Sequence, residues 1–290
     1  MQNGYNWIIF DHLETIMSYY DLPTGNIESK TLVLEYLEQA GPRIVRLIYK
    51  PSDYNLLAEI PDAKLESPWG EYSIHGGHRL WAAPESPEFT YIPDDLGLIV
   101  EKSQYRVVLT GAIEVPTGLQ KKIEIILNED HPEVQLNHIL TNMGTKPISC
   151  AAWSITVLPP GGLATLPLRT KPESDLLPDR HISFWPYSNI SDPRLKLSND
   201  ELCIQATSLK DIFKVGARCP QGWINYTNRG LCFRKEFEFN AHAEYCDMGC
   251  NAEIYTNGTI IETEALSELV LLSPGESIRH NEKWLVYESQ

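Results

Sequence analysis

Glu253-Ile254-Tyr255-Thr256-Asn257-Gly258-Thr259-Ile260-Ile261-Glu262 reads as a β-hairpin. Asn-Gly suits the tight turn whose central residues take positive φ, and the flanking runs Glu253-Ile254-Tyr255 and Ile260-Ile261-Glu262 suit strands. Outward from this hairpin the period of two recurs. Leu32, Leu34 and Tyr36 alternate with Val33, Glu35 and Leu37; Ile123, Ile125 and Leu127 alternate with Lys122, Glu124 and Ile126; Phe237 and Phe239 alternate with Glu236 and Glu238. Strands with one buried face produce this pattern. Turn signals punctuate it at Gly41-Pro42, Asn142-Met143-Gly144, Pro159-Pro160-Gly161-Gly162, Asn228-Arg229-Gly230 and Pro274-Gly275. No long amphipathic helix emerges. Trp7 to Tyr20 is ambiguous, Ser208 to Phe213 is read as a short turn of helix, and Thr170 to Asp192 as a long surface loop. The expectation is all-β: one large antiparallel β-sandwich over residues 1–290, with 1–27 as an N-terminal extension packed on it.

Bulk properties narrow the partners. The 290 residues are 42% hydrophobic and 22% charged, with a formal net charge of -15. That charge disfavours nucleic acid, which needs a basic face, and anionic membranes; a neutral small molecule is the easier partner. Nothing resembles a signal peptide or an apolar span of about 20 residues. The six cysteines are scattered, and Cys246-x3-Cys250 lacks a second pair, so a cytoplasmic protein with reduced thiols, no metal and no cofactor is expected.

Several constellations could carry chemistry. His75-Gly76-Gly77-His78-Arg79-Leu80-Trp81 sets two histidines, an arginine and a tryptophan around a glycine pair. Histidine moves protons near neutral pH, and indole and guanidinium suit a polyhydroxylated ligand. The alternative is a Gly-Gly bulge with a satisfied histidine and a core tryptophan. Glu262 and Glu264 share one strand face, where like charges raise each other's pKa; the alternative is a solvent-facing edge. Asp247 lies in a Gly-containing turn and is either a ligand contact or a turn-forming Asp. Trp153, Trp185, Tyr187, Asp192, Arg194 and Trp223 supply aromatic platforms and charges, each Trp having core burial as its plainer reading. His138, on the strand face of Val134 and Leu136, reads as a core histidine.

Taken in order, Gly41-Pro42-Arg43-Ile44, Asn55-Leu56-Leu57, His75 through Glu85, Asn142-Met143-Gly144, Trp153-Ser154-Ile155-Thr156, Tyr245-Cys246-Asp247, Glu262-Thr263-Glu264 and Leu272-Ser273-Pro274-Gly275-Glu276 resemble the galactose-mutarotase-like superfamily, aldose 1-epimerases included. The resemblance covers nearly the whole chain from about Glu28. It implies a β-sandwich with a sugar groove on a concave sheet face, and no cofactor. Mutarotases open a sugar ring with one base and one histidine acid, rotate the C1–C2 bond and reclose the ring. Glu262 matches the base, with Glu264 as alternative or partner. His75 matches a sugar-contacting position, with His78 and Arg79 beside it. The remaining candidate contacts are Trp81, Asp247, Trp153, Arg43 and Arg194. The acid's position here is Trp153, whose indole cannot serve. Either His78 or His75 takes that role, or the protein binds carbohydrate without converting it.

Overall fold

The computed structural model describes residues 18–168, 171–172 and 174–289; most of the ambiguous Trp7–Tyr20 segment and of the 1–27 extension therefore lies outside the described residues. The described residues form a twelve-stranded sheet, a ten-stranded sheet and a two-stranded ribbon. The pairings are antiparallel throughout, as the hairpin-rich sequence requires. The all-β sandwich expected from the sequence is the observed architecture. Its core is the apolar face of both sheets, where Leu34, Leu80 and Ile254 from the first meet Ile125, Leu136 and Trp284 from the second.

The hairpin that opened the reading pairs Ala252–Thr256 with Ile261–Leu266, from Ala252 opposite Ala265 to Thr256 opposite Ile261. It lies in the twelve-stranded sheet. Beside it on one side runs Ile148–Leu158 and then His78–Ala83; on the other side runs Phe213–Ala217. These five strands carry the candidate site.

Two local expectations are corrected. Ser208–Phe213 is not a helical turn: its last residue opens the strand Phe213–Ala217, in which Phe213, Val215 and Ala217 enter the core and Lys214 and Gly216 face the other way. The 170–192 segment is not loop throughout. Ile182–Phe184 pairs with Phe213–Ala217, because Ile182 and Phe184 both pack on the core.

The His75-Gly76-Gly77 run is a corner. All three residues have positive φ, at 59°, 86° and 63°. A Cβ at Gly77 would lie 2.0 Å from the Ile44 carbonyl oxygen, so the approach of the neighbouring strand excludes any side chain there. The corner takes the chain from the ribbon strand Gly70–Gly76 into the sheet strand His78–Ala83. It therefore sets which residues of the latter strand face the core.

Candidate functional site

Strand alternation builds the site. On the face turned away from the core, three cross-strand rows lie side by side. One row runs Lys214, Tyr255, Glu262; the next runs Gly216, Glu253, Glu264, Ile155, Arg79; the third joins Trp153 to Trp81. Seven of these residues (Arg79, Trp81, Trp153, Lys214, Tyr255, Glu262 and Glu264), with Glu85, Tyr91 and Tyr187 above them, line a cleft of about 320 Å³. Ribbon residues Ile60, Leu65 and Ile74, and the hairpin tip at Asn257 and Thr259, complete its wall.

The cleft floor is charged and paired. Arg79 Nη2 donates to Glu262 Oε1 at 3.0 Å, and the guanidinium lies 4.2 Å from the Trp81 ring centroid. Lys214 Nζ sits 2.7 Å from Glu253 Oε2 and 2.9 Å from Glu264 Oε2, between the faces of Trp153 and Trp185 at 4.6 and 4.5 Å. Trp153 Nε1 donates to Glu264 Oε2 at 2.8 Å. Burial raises the Glu262 carboxyl above the usual range, opposed by Arg79 and reinforced by Glu264. Burial alone would lower Lys214, but Glu253 and Glu264 outweigh it and hold the ammonium well above its ordinary value. One ammonium between two carboxylates leaves a surplus negative charge. The wholly enclosed Glu253 has its carboxyl raised well above the usual range by burial, opposed by Lys214.

Not every polar group on this floor is satisfied. Arg79 is 2% exposed, and among the described residues its Nε and Nη1 have no hydrogen-bond partner. Buried donors without acceptors are costly; these two are enclosed in the cleft floor, where the guanidinium packs on the Trp81 ring.

The structure brings together Glu262, Glu264, Arg79, Trp81 and Trp153. It does not bring the other five candidates to them. His78 is fully buried on the core side of its strand, because it neighbours Arg79 and successive strand residues point to opposite faces. His75 stands at the corner, edge-on to Tyr19, whose hydroxyl donates to the His75 carbonyl; burial, then Arg43, lowers its imidazole to about 4. Arg43 neighbours Arg79 in register, but its guanidinium donates to Tyr72 Oη at 2.7 Å and Asp94 Oδ2 at 2.9 Å, tying the ribbon to the sheet. Arg194 is a loop brace, bonded to Asp192 at 2.8 Å and to the carbonyls of Leu209 and Asp211. Asp247, with φ of 51°, does not line the cleft but a neighbouring depression with Trp185 and Met248; burial raises its carboxyl, opposed by Lys214 and by its contact with Glu253.

Sequence reasoning missed Lys214 and the role of Glu253. The signal for Lys214 was a lysine in the run Phe213-Lys214-Val215-Gly216-Ala217, where it is the one charged residue in a short apolar strand. Reading Ser208–Phe213 as helix hid that strand.

Behind the cleft lies a second polar group, between the sheets. His138 Nδ1 faces the His280 carbonyl at 3.1 Å and so carries a proton; its Nε2 accepts from His78 Nε2 at 2.7 Å, and His78 Nδ1 accepts from Thr156 at 2.9 Å. Burial keeps both rings neutral, His138 at about 4 and His78 well below its ordinary value. Glu282 accepts from Ser154 and from Trp284 Nε1 at 2.8 Å, and is ion-paired with Lys235, whose Nζ lies 3.2 Å away. Lys235 also donates to the carbonyls of Ser154 and Thr263 at 3.3 and 3.2 Å. Ligand atoms of His78, His138 and Glu282 lie within 4.8 Å of one another. The ring nitrogens already bond each other and Lys235 already neutralises Glu282, so the trio is complete without a cation.

With this geometry in hand, comparison with known proteins is informative at the level of fold. No family model and no curated protein matches the sequence. Solved structures do. A galactose mutarotase-like protein of Lactobacillus casei superposes with a TM-score of 0.60 at 10% identity, covering 91% of this chain and 100% of that one. The chain has the galactose mutarotase-like fold. A candidate aldose 1-epimerase of Escherichia coli K12 gives a TM-score of 0.57 at 11% identity, over 92% of this chain and 99% of that one. A galactose mutarotase-like protein of Clostridium acetobutylicum gives 0.57 at 10% identity, over 94% and 97%. Among the described residues, no helix is long and apolar enough to cross a membrane.

Proposed function

We propose that the cleft binds a sugar ring and interconverts its anomers, with Glu262 as the base. The observation that carries this reading is Glu262 itself. It lies on the cleft floor, 3.0 Å from Arg79, with its carboxyl pushed toward neutrality by burial and with unpartnered Arg79 donors beside it. A general base works best when its pKa nears the working pH. Trp81, Trp153, Tyr91 and Tyr187 offer ring faces and edges for the apolar sides of a pyranose. Both cations of the floor are already ion-paired, which suits an uncharged, hydroxyl-rich ligand over a phosphorylated one.

In this reading Glu262 removes the anomeric hydroxyl proton, the C1–O5 bond opens, the C1–C2 bond rotates and the ring recloses. Glu262→Gln is expected to reduce anomer exchange, followed by NMR for an aldose that the wild type accelerates, by about 10²- to 10⁴-fold. Unchanged exchange would remove Glu262 as base.

A second reading is carbohydrate binding without conversion. It is favoured by one observation: among the described residues, no histidine lines the cleft. Calorimetry over a panel of sugars, with exchange kinetics on each binder, separates the two. Tight binding with no acceleration selects the binding protein.

A further inference from the structure

Ring opening needs a proton for the departing ring oxygen, and neither His75 nor His78 reaches the cleft. We propose that Lys214 is that proton donor, resting on the sugar-isomerising reading of the same cleft.

Placement comes first. Lys214 and Glu262 stand in one cross-strand row with Tyr255 between them. The Lys214 ammonium is anchored at Glu264, two residues along the strand from Glu262, a spacing of roughly 7 Å. A pyranose ring lying across that gap would meet Glu262 at one edge and Lys214 at the other. An ammonium has three N–H donors. Glu264 accepts one at 2.9 Å, Glu253 lies 2.7 Å from the ammonium as an ion pair without a hydrogen bond, and the side chain lines the cleft, so a donor remains for a ligand atom. Arg79, the other cation of the floor, does not give up a proton in proteins.

The chemistry balances. Glu262 takes the proton from O1; the O1–H electron pair becomes the second bond of the C1 carbonyl; the C1–O5 pair moves to O5; Lys214 Nζ delivers a proton to O5. The open-chain aldehyde then faces a neutral carboxyl and a neutral amine. Reclosure on the other face of C1 returns both protons, so no co-reactant is needed. Glu253 and Glu264 hold the ammonium strongly protonated, but a sugar alkoxide is more basic than any amine. The transfer therefore runs as the bond breaks, and not before.

The test compares an aldopyranose with its 5-thio analogue, whose departing ring sulfur is a stable thiolate and needs little proton assistance. Lys214→Arg keeps the charge and its carboxylate partners but replaces the amine by a group that does not deprotonate. On the oxygen sugar it is expected to lower kcat by about 10²-fold or more, and on the thio sugar by less than about tenfold, with KM nearly constant. Glu262→Gln is expected to slow both sugars alike. If Lys214→Arg does not fold, Lys214→Met with Glu264→Gln removes an ammonium and a carboxylate together and supports the same ratio measurement. Equal losses on the two sugars, or a retained rate on the oxygen sugar, would overturn Lys214 as donor while leaving the isomerase reading in place. A wild-type protein that accelerates no aldose overturns that reading, and the donor with it.

Discussion

The two faces of the central strands carry two polar clusters that differ in one respect. Arg79, Glu262 and Glu264 look outward into a cleft; His78, Thr156 and the Thr263 carbonyl look inward to His138, Lys235 and Glu282. The inner cluster is closed. His78, His138, Lys235 and Glu282 all have partners; among the described residues His280 Nε2, 3.4 Å from Glu282, and Thr263 Oγ1 lack a hydrogen bond there. The outer cluster borders a cavity, and in it two Arg79 donors and both Glu253 carboxyl oxygens lack hydrogen-bond partners. Residue types alone would rank the inner cluster higher, since it holds the histidines. Hydrogen-bond accounting ranks the outer one higher, because chemistry on a ligand needs groups that are not already spent on each other.

The largest effect expected from breaking this contrast is on stability. Glu282→Ala leaves Lys235 buried without its carboxylate partner, and about 3–5 kcal/mol is expected to be lost in urea unfolding. Lys235→Met with Glu282→Leu, which removes both charges, should recover most of it. A loss under about 1 kcal/mol in the single variant would mean that the inner group is no charge network.

The pH response should be nearly as large, and opposite for the two clusters. His138 is depressed to about 4 when folded, against about 6.5 unfolded, so the unfolded chain binds more protons between those values. Its contribution, roughly 3 kcal/mol, is present above pH 6.5 and lost as pH falls to about 4. Glu253 and Glu262 are raised when folded, so acid favours the folded form at those sites. Unfolding measured across this range should lose part of its acid slope in His138→Gln, with His75 and His78 supplying the rest, and steepen in Glu253→Gln. Parallel curves for both variants and the wild type would contradict the assignment of opposite signs.

The smallest effect belongs to the cleft rim. Tyr187 lines the cleft but is 50% exposed. Tyr187→Ala should weaken sugar binding by about five- to tenfold in calorimetry while changing stability by less than about 0.5 kcal/mol. A larger stability loss than affinity loss would make Tyr187 a packing residue and not a ligand platform.

Much of this was legible in the sequence, and for a specific reason. Period-two alternation and Asn257-Gly258 are local signals, and local signals determined the sandwich and the hairpin. Glu262 and Glu264 fell on one face by the same arithmetic. What failed was the step from adjacency in sequence to adjacency in space. His75, His78 and Arg79 are neighbours in the chain, yet the corner and the strand pleat send them to three environments. Lys214 and Glu253 joined the site only through register with the hairpin, which composition does not encode. Arg43 and Arg194 look like anion ligands until Tyr72, Asp94 and Asp192 are seen to occupy them.

The left-handed corner at His75-Gly76-Gly77 acts as the origin from which the sheet strand is counted. A strand's two faces exchange whenever it slips by one residue. Here such a slip would turn Arg79 into the histidine cluster and His78 into the cleft, exchanging a ligand-facing cation for an imidazole. The Ile44 carbonyl, pressed where a Gly77 side chain would be, blocks that exchange by pinning the count to a fixed point of the neighbouring strand. The same polar vocabulary could therefore have served either face, and a backbone contact without a side chain decides which set meets the ligand.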